Sequence, residues 1–197
     1  MRFGKRREEK RLAEAIARAR ARFQSPDEQE VMNYLDEMVG RFPENPEIRL
    51  LYASILLIFR PDDVAVEAAK AIELGPDDPT ILVRAAHLLF NRGEVDLART
   101  AVTRAGELVE PDFVLMSGLV NIEGLLAARD GRVDVAEEKL RSAVRVDPAF
   151  SHFAVDLAQF LSWRGRQAEA IAVIDEALPY AKEEGDLQRL RVELTGA

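Results

Sequence analysis

The sequence predicts an all-α fold, a solenoid of about five helix–turn–helix repeats closed by a C-terminal capping helix. The first observation is a repeated pattern: residues 130–148 read DGRVDVAEEKLRSAVRVDP, with a turn glycine, then small, bulky and small side chains, then a proline. The second is its recurrence at 92–111 and 164–181, with a relative at 62–76. The third is a composition rich in helix-forming Ala, Leu, Glu and Arg, with only 7% aromatic residues. Recurrence at a fixed period predicts stacked repeats rather than a closed globule.

The composition excludes several other classes of protein. The 197 residues are 48% hydrophobic and 31% charged, as in a soluble folded protein. Since the chain has no cysteine, disulfides and thiolate chemistry are excluded. No apolar run approaches the roughly 18–20 residues of a membrane span, and no apolar segment follows the basic N-terminus as in a signal peptide. A cytoplasmic location is therefore predicted.

Charge is distributed unevenly along the chain. The net charge is −8, yet residues 1–24 carry nine basic and three acidic residues, which makes them +6 and the remainder −14. Residues 1–24 are predicted to form a basic helix, the first of a divergent repeat, because Leu12, Ile16 and Phe23 fall on one helical stripe. That stripe favours packing on a neighbour over binding to nucleic acid or an anionic membrane. A contact with the acidic body of another subunit, and so a homo-oligomer, is a further possibility.

Proline and its preceding capping residue predict where the early helices begin. Ser25-Pro26 starts the second helix, and Asn45-Pro46 starts the third, since Pro has no amide hydrogen to lose in a first turn. Residues 48–59 are almost wholly apolar and are predicted to be buried on most sides. A partner helix at 64–74 is expected to end in a left-handed C-cap at Gly75.

The later elements follow the same pattern. Asp78-Pro79 opens the third pair, and a helix running to about Arg129 is predicted to be longer than its counterparts. Gly124 lies inside that helix, where glycine is unfavourable, which predicts close backbone packing. The last pair, with helices at 149–164 and 167–183, is followed by a short helix at 186–194 that caps the array. The expected organisation is a basic helix at 1–24, a repeat array at 25–185 and a capping helix and tail at 186–197.

This pattern resembles the tetratricopeptide repeat, a helix–turn–helix unit with a period near 34 residues. The turn glycines Gly93, Gly131 and Gly165 are 38 and 34 residues apart. Small residues stand where two antiparallel helices must approach closely, in both the first and the second helix of each pair. These residues are Ala86, Gly124, Ala158, Ala98, Ala136, Ala170, Ala105, Ala143 and Ala177.

The resemblance implies a right-handed superhelix whose first helices line a concave groove for a partner peptide or helix. Placing the repeats by their turn residues predicts a groove lining that mixes apolar and hydrogen-bonding side chains. Its members are Leu50, Ser54, Leu57, Val83, His87, Phe90, Asn121, Leu125, His152, Val155, Gln159 and Ser162. The carboxylate clamp of some members of the family is disfavoured, because the first helices between Pro46 and Arg164 contain no lysine.

The sequence offers no candidate catalytic, cofactor or metal site. His87 and His152 lie in different repeats without a nucleophile pattern, and HxxxH spacing and a Gly-rich phosphate loop are both missing. The predicted function is therefore a non-catalytic scaffold that binds another protein. The alternative is a self-assembling structural subunit that sets its basic N-terminal helix against its acidic body.

Overall fold

The computed structural model describes residues 28–108 and 113–196, and this part of the chain is helical throughout, with no β-strand. The predicted basic helix at 1–24 and the predicted start at Ser25-Pro26 lie outside the described residues. The helices are α1 Glu28–Arg41, α2 Pro46–Phe59, α3 Val64–Leu74, α4 Pro79–Asn91, α5 Val95–Leu108, α6 Phe113–Arg129, α7 Val133–Val146, α8 Ser151–Trp163, α9 Gln167–Ala177 and α10 Gly185–Thr195. A single 3₁₀ turn at Pro61–Asp63 precedes α3. The all-α helical-repeat fold is thus confirmed.

The chain divides into two compact units. The first ends at Ala101 and the second begins at Val102, so the boundary falls inside α5. Within the first unit α2 packs on α3 and on α4, and within the second α6 packs on α7 and α8 on α9. Each unit is therefore built from helix pairs laid down in chain order.

Side-chain caps begin α2 and α4 as predicted. Asn45 Oδ1 accepts a hydrogen bond from the Ile48 amide at 3.1 Å, directly before Pro46. Asp78 Oδ1 accepts from the Thr80 and Ile81 amides at 2.9 and 3.2 Å. These oxygens satisfy amides that have no partner within the helix, which fixes where each helix starts.

Left-handed glycines make the turns inside three helix pairs. Gly93, Gly131 and Gly165 have φ angles of 82°, 76° and 76°, which other residues rarely adopt. The predicted left-handed C-cap at Gly75 is wrong, since its φ is −133°. The reason lies in the exit of the chain from α3: the Gly75 amide still donates to Ala71 O, and Gly75 O accepts from the Asp78 amide, so the chain turns without a left-handed residue.

Small residues let paired helices approach closely. Ala98, Ala136 and Ala170 are completely buried. A Cβ added at Gly124 would lie 3.0 Å from Leu140 Cγ and 3.2 Å from the Leu140 amide nitrogen, so the backbones of α6 and α7 leave no room for a methyl group. The compensation predicted for a glycine inside this helix is confirmed, as is the extra length of α6, which has 17 residues where α4 has 13.

The capping helix is also confirmed, and it closes the core of the second unit. Leu187 and Leu190 of α10 are buried in the cluster that contains Leu157 and Leu161 of α8. In the first unit, α2 is less enclosed than predicted: Leu57 and Ile58 in its last turn are 37% and 65% exposed. Within the described residues, none of the helices combines the length and the apolar character required to span a membrane.

Candidate functional site

The first helices of the second unit, α6 and α8, are joined by a hydrogen bond one repeat apart. Asn121 Nδ2 on α6 donates to Asp156 Oδ2 on α8 at 2.6 Å, across 35 residues of sequence. The hydrogen bond therefore links the first helices of two successive repeats. They define the centre of what we call the α6–α8 surface.

Four of the predicted groove residues form a single stripe on α8. His152, Val155, Gln159 and Ser162 are separated by three, four and three residues, which is the spacing of one helical face. The His152 side chain is 55% exposed, and Gln159 is exposed as well. Val155 and Ser162 are half-buried. On α6 the predicted Leu125 is half-buried, and Leu125 and Val155 both pack against the core. The α6–α8 surface thus presents polar tips above an apolar base.

Asp156 lies on the same stripe, although it was not among the groove residues predicted from the sequence. It lies four residues after His152 and three before Gln159, so the helical period alone placed it on the predicted face. Burial raises the pKa of the Asp156 carboxyl from 3.8 to about 6, against the opposing effects of the Asn121 hydrogen bond and of His152. A carboxylate that is disfavoured in its charged form marks this point as chemically distinct from the solvated acids of the surface.

Asn121 is the most deeply placed of the predicted groove residues in this unit. Its side chain is completely buried, and its Oδ1 atom has no hydrogen-bond partner among the described residues. An unsatisfied buried carbonyl oxygen is energetically costly. Asn121 lies beneath the α6–α8 surface and contributes to it through its hydrogen bond to Asp156.

His152 connects α8 to the capping helix. Its Nε2 atom lies 3.8 Å from Asp186 Oδ2 in the first turn of α10, and Asp186 also pairs with Arg189. The ring of the exposed Phe150 stacks on the His152 ring with centroids 5.3 Å apart. The imidazole is thus held from two sides at the edge of the α6–α8 surface.

The predicted groove residues of the first unit differ widely in accessibility. Leu50 and Val83 are 0% and 4% exposed and form part of the core. The Ser54 hydroxyl is half-buried and donates to Leu50 O at 2.8 Å, while His87 and Phe90 are half-buried. Only Leu57 is exposed among the six. In the first unit two of the six predicted groove residues therefore belong to the core, and three are half-buried.

A cleft of about 560 Å³ opens on the other side of the second unit, between the second helices α7 and α9. Its apolar lining comes from Val144, Leu157 and Val173, and its charged lining includes Arg145 and Glu176. None of the predicted groove residues lines it. In the part of the chain that the structure describes, no three His, Cys, Asp or Glu side chains are grouped as metal ligands.

Comparison with known proteins agrees with this architecture. A family model described as tetratricopeptide repeat matches residues 127–194, which include α7 to α9 and most of α10. Over 111 residues the chain is 26% identical to human protein O-mannosyl-transferase TMTC3, a stretch that makes up 56% of this chain. The matched part is 12% of the length of that protein.

Solved structures show the same fold over nearly the whole chain. TTC0263, a thermophilic tetratricopeptide-repeat protein of Thermus thermophilus, superposes with a TM-score of 0.71 at 18% identity, covering 94% of this chain and 99% of that one. PilF of Pseudomonas aeruginosa gives a TM-score of 0.65 at 16% identity, covering 96% and 85% of the two chains. The resemblance to the tetratricopeptide repeat is therefore confirmed, by sequence over residues 127–194 and by fold over most of the chain.

Proposed function

We propose that this protein is a non-catalytic scaffold that binds a peptide or a helix of another protein on its first helices. The observation that supports the proposal most directly is the α6–α8 surface, where exposed His152 and Gln159 stand beside half-buried Leu125 and Val155. Hydrogen-bonding groups above an apolar base are what an extended or helical peptide requires. Helical-repeat proteins in general offer such surfaces to partners.

The rigidity of the scaffold favours the same role. Each side of the surface lies on a helix that is pressed against its pair partner at residues no larger than a methyl group, such as Ala158 on α8 and Gly124 on α6. Side chains on such helices are held in place before a partner arrives, which lowers the entropic cost of binding. In the first unit, the predicted groove residues that are not buried are Ser54, Leu57, His87 and Phe90.

The test is selection of peptides from a displayed library of random dodecapeptides on the full chain. We expect the selected peptides to lose binding when His152 and Gln159 are both replaced by alanine, because both side chains are exposed on the proposed surface. The matched control replaces Glu138 and Asp175, which are exposed on the second helices α7 and α9. Circular dichroism verifies that both double variants keep their helicity. Peptides that bind the His152/Gln159 variant as well as the wild type would place the binding surface elsewhere.

Self-assembly remains the alternative, and it depends on residues 1–24, outside the described part. It predicts an oligomer that dissociates as salt screens the basic N-terminal helix from the acidic body. Size measured by light scattering from low to high salt separates the two functions. A species that stays monomeric at every salt concentration would contradict self-assembly.

A further inference from the structure

The centre of the α6–α8 surface contains a carboxylate that has no lysine or arginine partner among the described residues. Asp156 Oδ2 accepts from Asn121 at 2.6 Å, while Asp156 Oδ1 has no protein partner among the described residues. The Oδ1 atom of Asn121, in the amide that holds this carboxylate, is buried and unpartnered as well. Asn121 and Asp156 thus each carry one oxygen without a protein donor, and of the two side chains only that of Asp156 is not completely buried.

Two other acids that are partly withdrawn from water, Glu67 and Glu137, each have two basic partners. Glu67 pairs with Arg49 and Lys70 at 2.9 and 2.7 Å, and Glu137 pairs with Arg141 and Arg166 at 2.9 and 2.5 Å. Asp156 is half-buried, and among the described residues no lysine or arginine lies at ion-pair distance from it. A half-buried carboxylate with no lysine or arginine beside it loses part of its hydration without gaining an ion pair.

We propose that the segment bound on the α6–α8 surface places a lysine or arginine side chain against the Asp156 carboxylate. This inference rests on the proposed function and specifies the chemistry of its partner. A cation supplies both the charge and the donor hydrogens that the free Asp156 oxygen lacks. A neutral donor such as a serine hydroxyl satisfies the hydrogen bond and leaves the charge uncompensated.

The surroundings of Asp156 suit a long basic side chain in particular. Val155 precedes it on α8 and Leu125 lies on α6, and both are half-buried apolar residues that pack against the core. The methylene stem of lysine or arginine covers apolar surface of this kind while its charged end reaches the carboxylate. The amide of Asn121 holds the carboxylate in place by its hydrogen bond.

The experiment uses the peptides selected from the random dodecapeptide library on the full chain. We expect them to share a lysine or arginine, and each synthetic peptide to lose about tenfold or more in affinity when that residue is replaced by norleucine. Asp156→Asn is expected to cause a similar loss, and the two changes together are expected to cost little more than either alone. Glu138→Gln, the same acid-to-amide change at an exposed position of α7, is the matched control and is expected to leave affinity unchanged.

The outcomes separate this inference from the proposed function. Peptides that require His152 and Gln159 but carry no shared cation, or that bind Asp156→Asn as tightly as the wild type, overturn the inference and leave the proposed function standing. Peptides indifferent to all three residues overturn both, and so does a library that yields no binder. Asp156→Asn keeps the size and shape of the side chain, and its melting curve checks that a loss of binding does not reflect unfolding.

Discussion

At the scale of single residues, Gly124 shows why this fold depends on small side chains. A methyl group there would meet Leu140 at 3.0 Å and the Leu140 backbone nitrogen at 3.2 Å. The side chain of Leu140 can rotate, whereas the backbone of α7 moves only if the helix pair separates. Glycine at this position therefore sets the distance between α6 and α7.

We predict that Gly124→Ala destabilises the protein. The better helix propensity of alanine contributes about 1 kcal/mol, and overpacking against α7 costs about 1–3 kcal/mol, so the net loss is expected to be about 1 kcal/mol. Urea denaturation followed by circular dichroism measures it. Gly106→Ala is the matched control, because a Cβ there meets nothing within 4 Å and the substitution should be neutral or stabilising. Equal effects of the two substitutions would refute the role assigned to close approach.

The half-buried carboxyl of Asp156 gives a second prediction at this scale. Because its pKa rises from 3.8 to about 6 on folding, the folded protein binds the proton more tightly than the unfolded chain. The stabilisation that the folded protein gains from this tighter proton binding is at most about 3 kcal/mol. It is fully present below pH 3.8 and is lost as the pH rises through about 6. Asp156→Asn should remove this part of the pH dependence and be more stable than the wild type at pH 7.5. The measurement compares urea midpoints of both proteins at pH 4.5 and pH 7.5, with Glu138→Gln as control. If the wild type and Asp156→Asn lost the same amount of stability between pH 4.5 and pH 7.5, Asp156 would not titrate in this range.

At the scale of elements, the helices and turns follow from local chemistry and were therefore predictable. Asn45 and Asp78 cap helices, and Gly93, Gly131 and Gly165 take φ angles that need glycine. The conformation of Gly75 was predicted wrongly because glycine adopts both left-handed and ordinary φ angles. Only the path of the chain after α3 decides between the two conformations.

The candidate site was only partly predictable for a similar reason. The period of a helix places His152, Val155 and Gln159 on one face, yet it does not predict how deeply each side chain of that face is buried. Leu50 and Asn121 were assigned to the same kind of face, but side chains from neighbouring helices cover them completely. Asp156 was missed because a carboxylate on a helix has the same sequence signature whether it is solvated or buried.

Ion pairs between second helices provide a prediction at the element scale. Arg166, just before α9, donates to Glu137 on α7 at 2.5 Å and to Glu169 at 2.6 Å, and it lowers the pKa of both carboxyls. Arg166→Ala should reduce stability modestly at low salt, because it removes one of the ion-pair links between α7 and α9, and the loss should shrink at high salt. The contribution of Glu137 is present above pH 4.5 and disappears as the pH falls through its lowered pKa.

Thermal melts of Arg166→Ala at low and high sodium chloride check this prediction. Arg189→Ala serves as the control because Arg189 forms an ion pair with Asp186 within its own helix. If the two variants respond alike, the pairs between α7 and α9 add nothing beyond a local contact.

At the scale of the whole molecule, the chain is a succession of helix pairs that divides into two compact units. In repeat architectures the stability of each pair depends on its own packing and on its immediate neighbours, so damage in one place is felt mainly nearby. The second unit ends in α10, whose Leu187 is completely buried in the core formed with α8 and α9. This residue allows the locality of stability to be tested.

Leu187→Ala is expected to destabilise the second unit by about 2–5 kcal/mol, the usual cost of emptying a leucine site in a core. Hydrogen exchange resolved by peptide should then show faster opening in α8, α9 and α10, with exchange in α2 and α3 close to that of the wild type. Val192→Ala on the same helix is the control, because Val192 is 51% exposed and its loss should leave every segment unchanged. Faster exchange spread evenly over both units would mean that the chain opens as a single cooperative body, and the nearest-neighbour description of its stability would have to be abandoned.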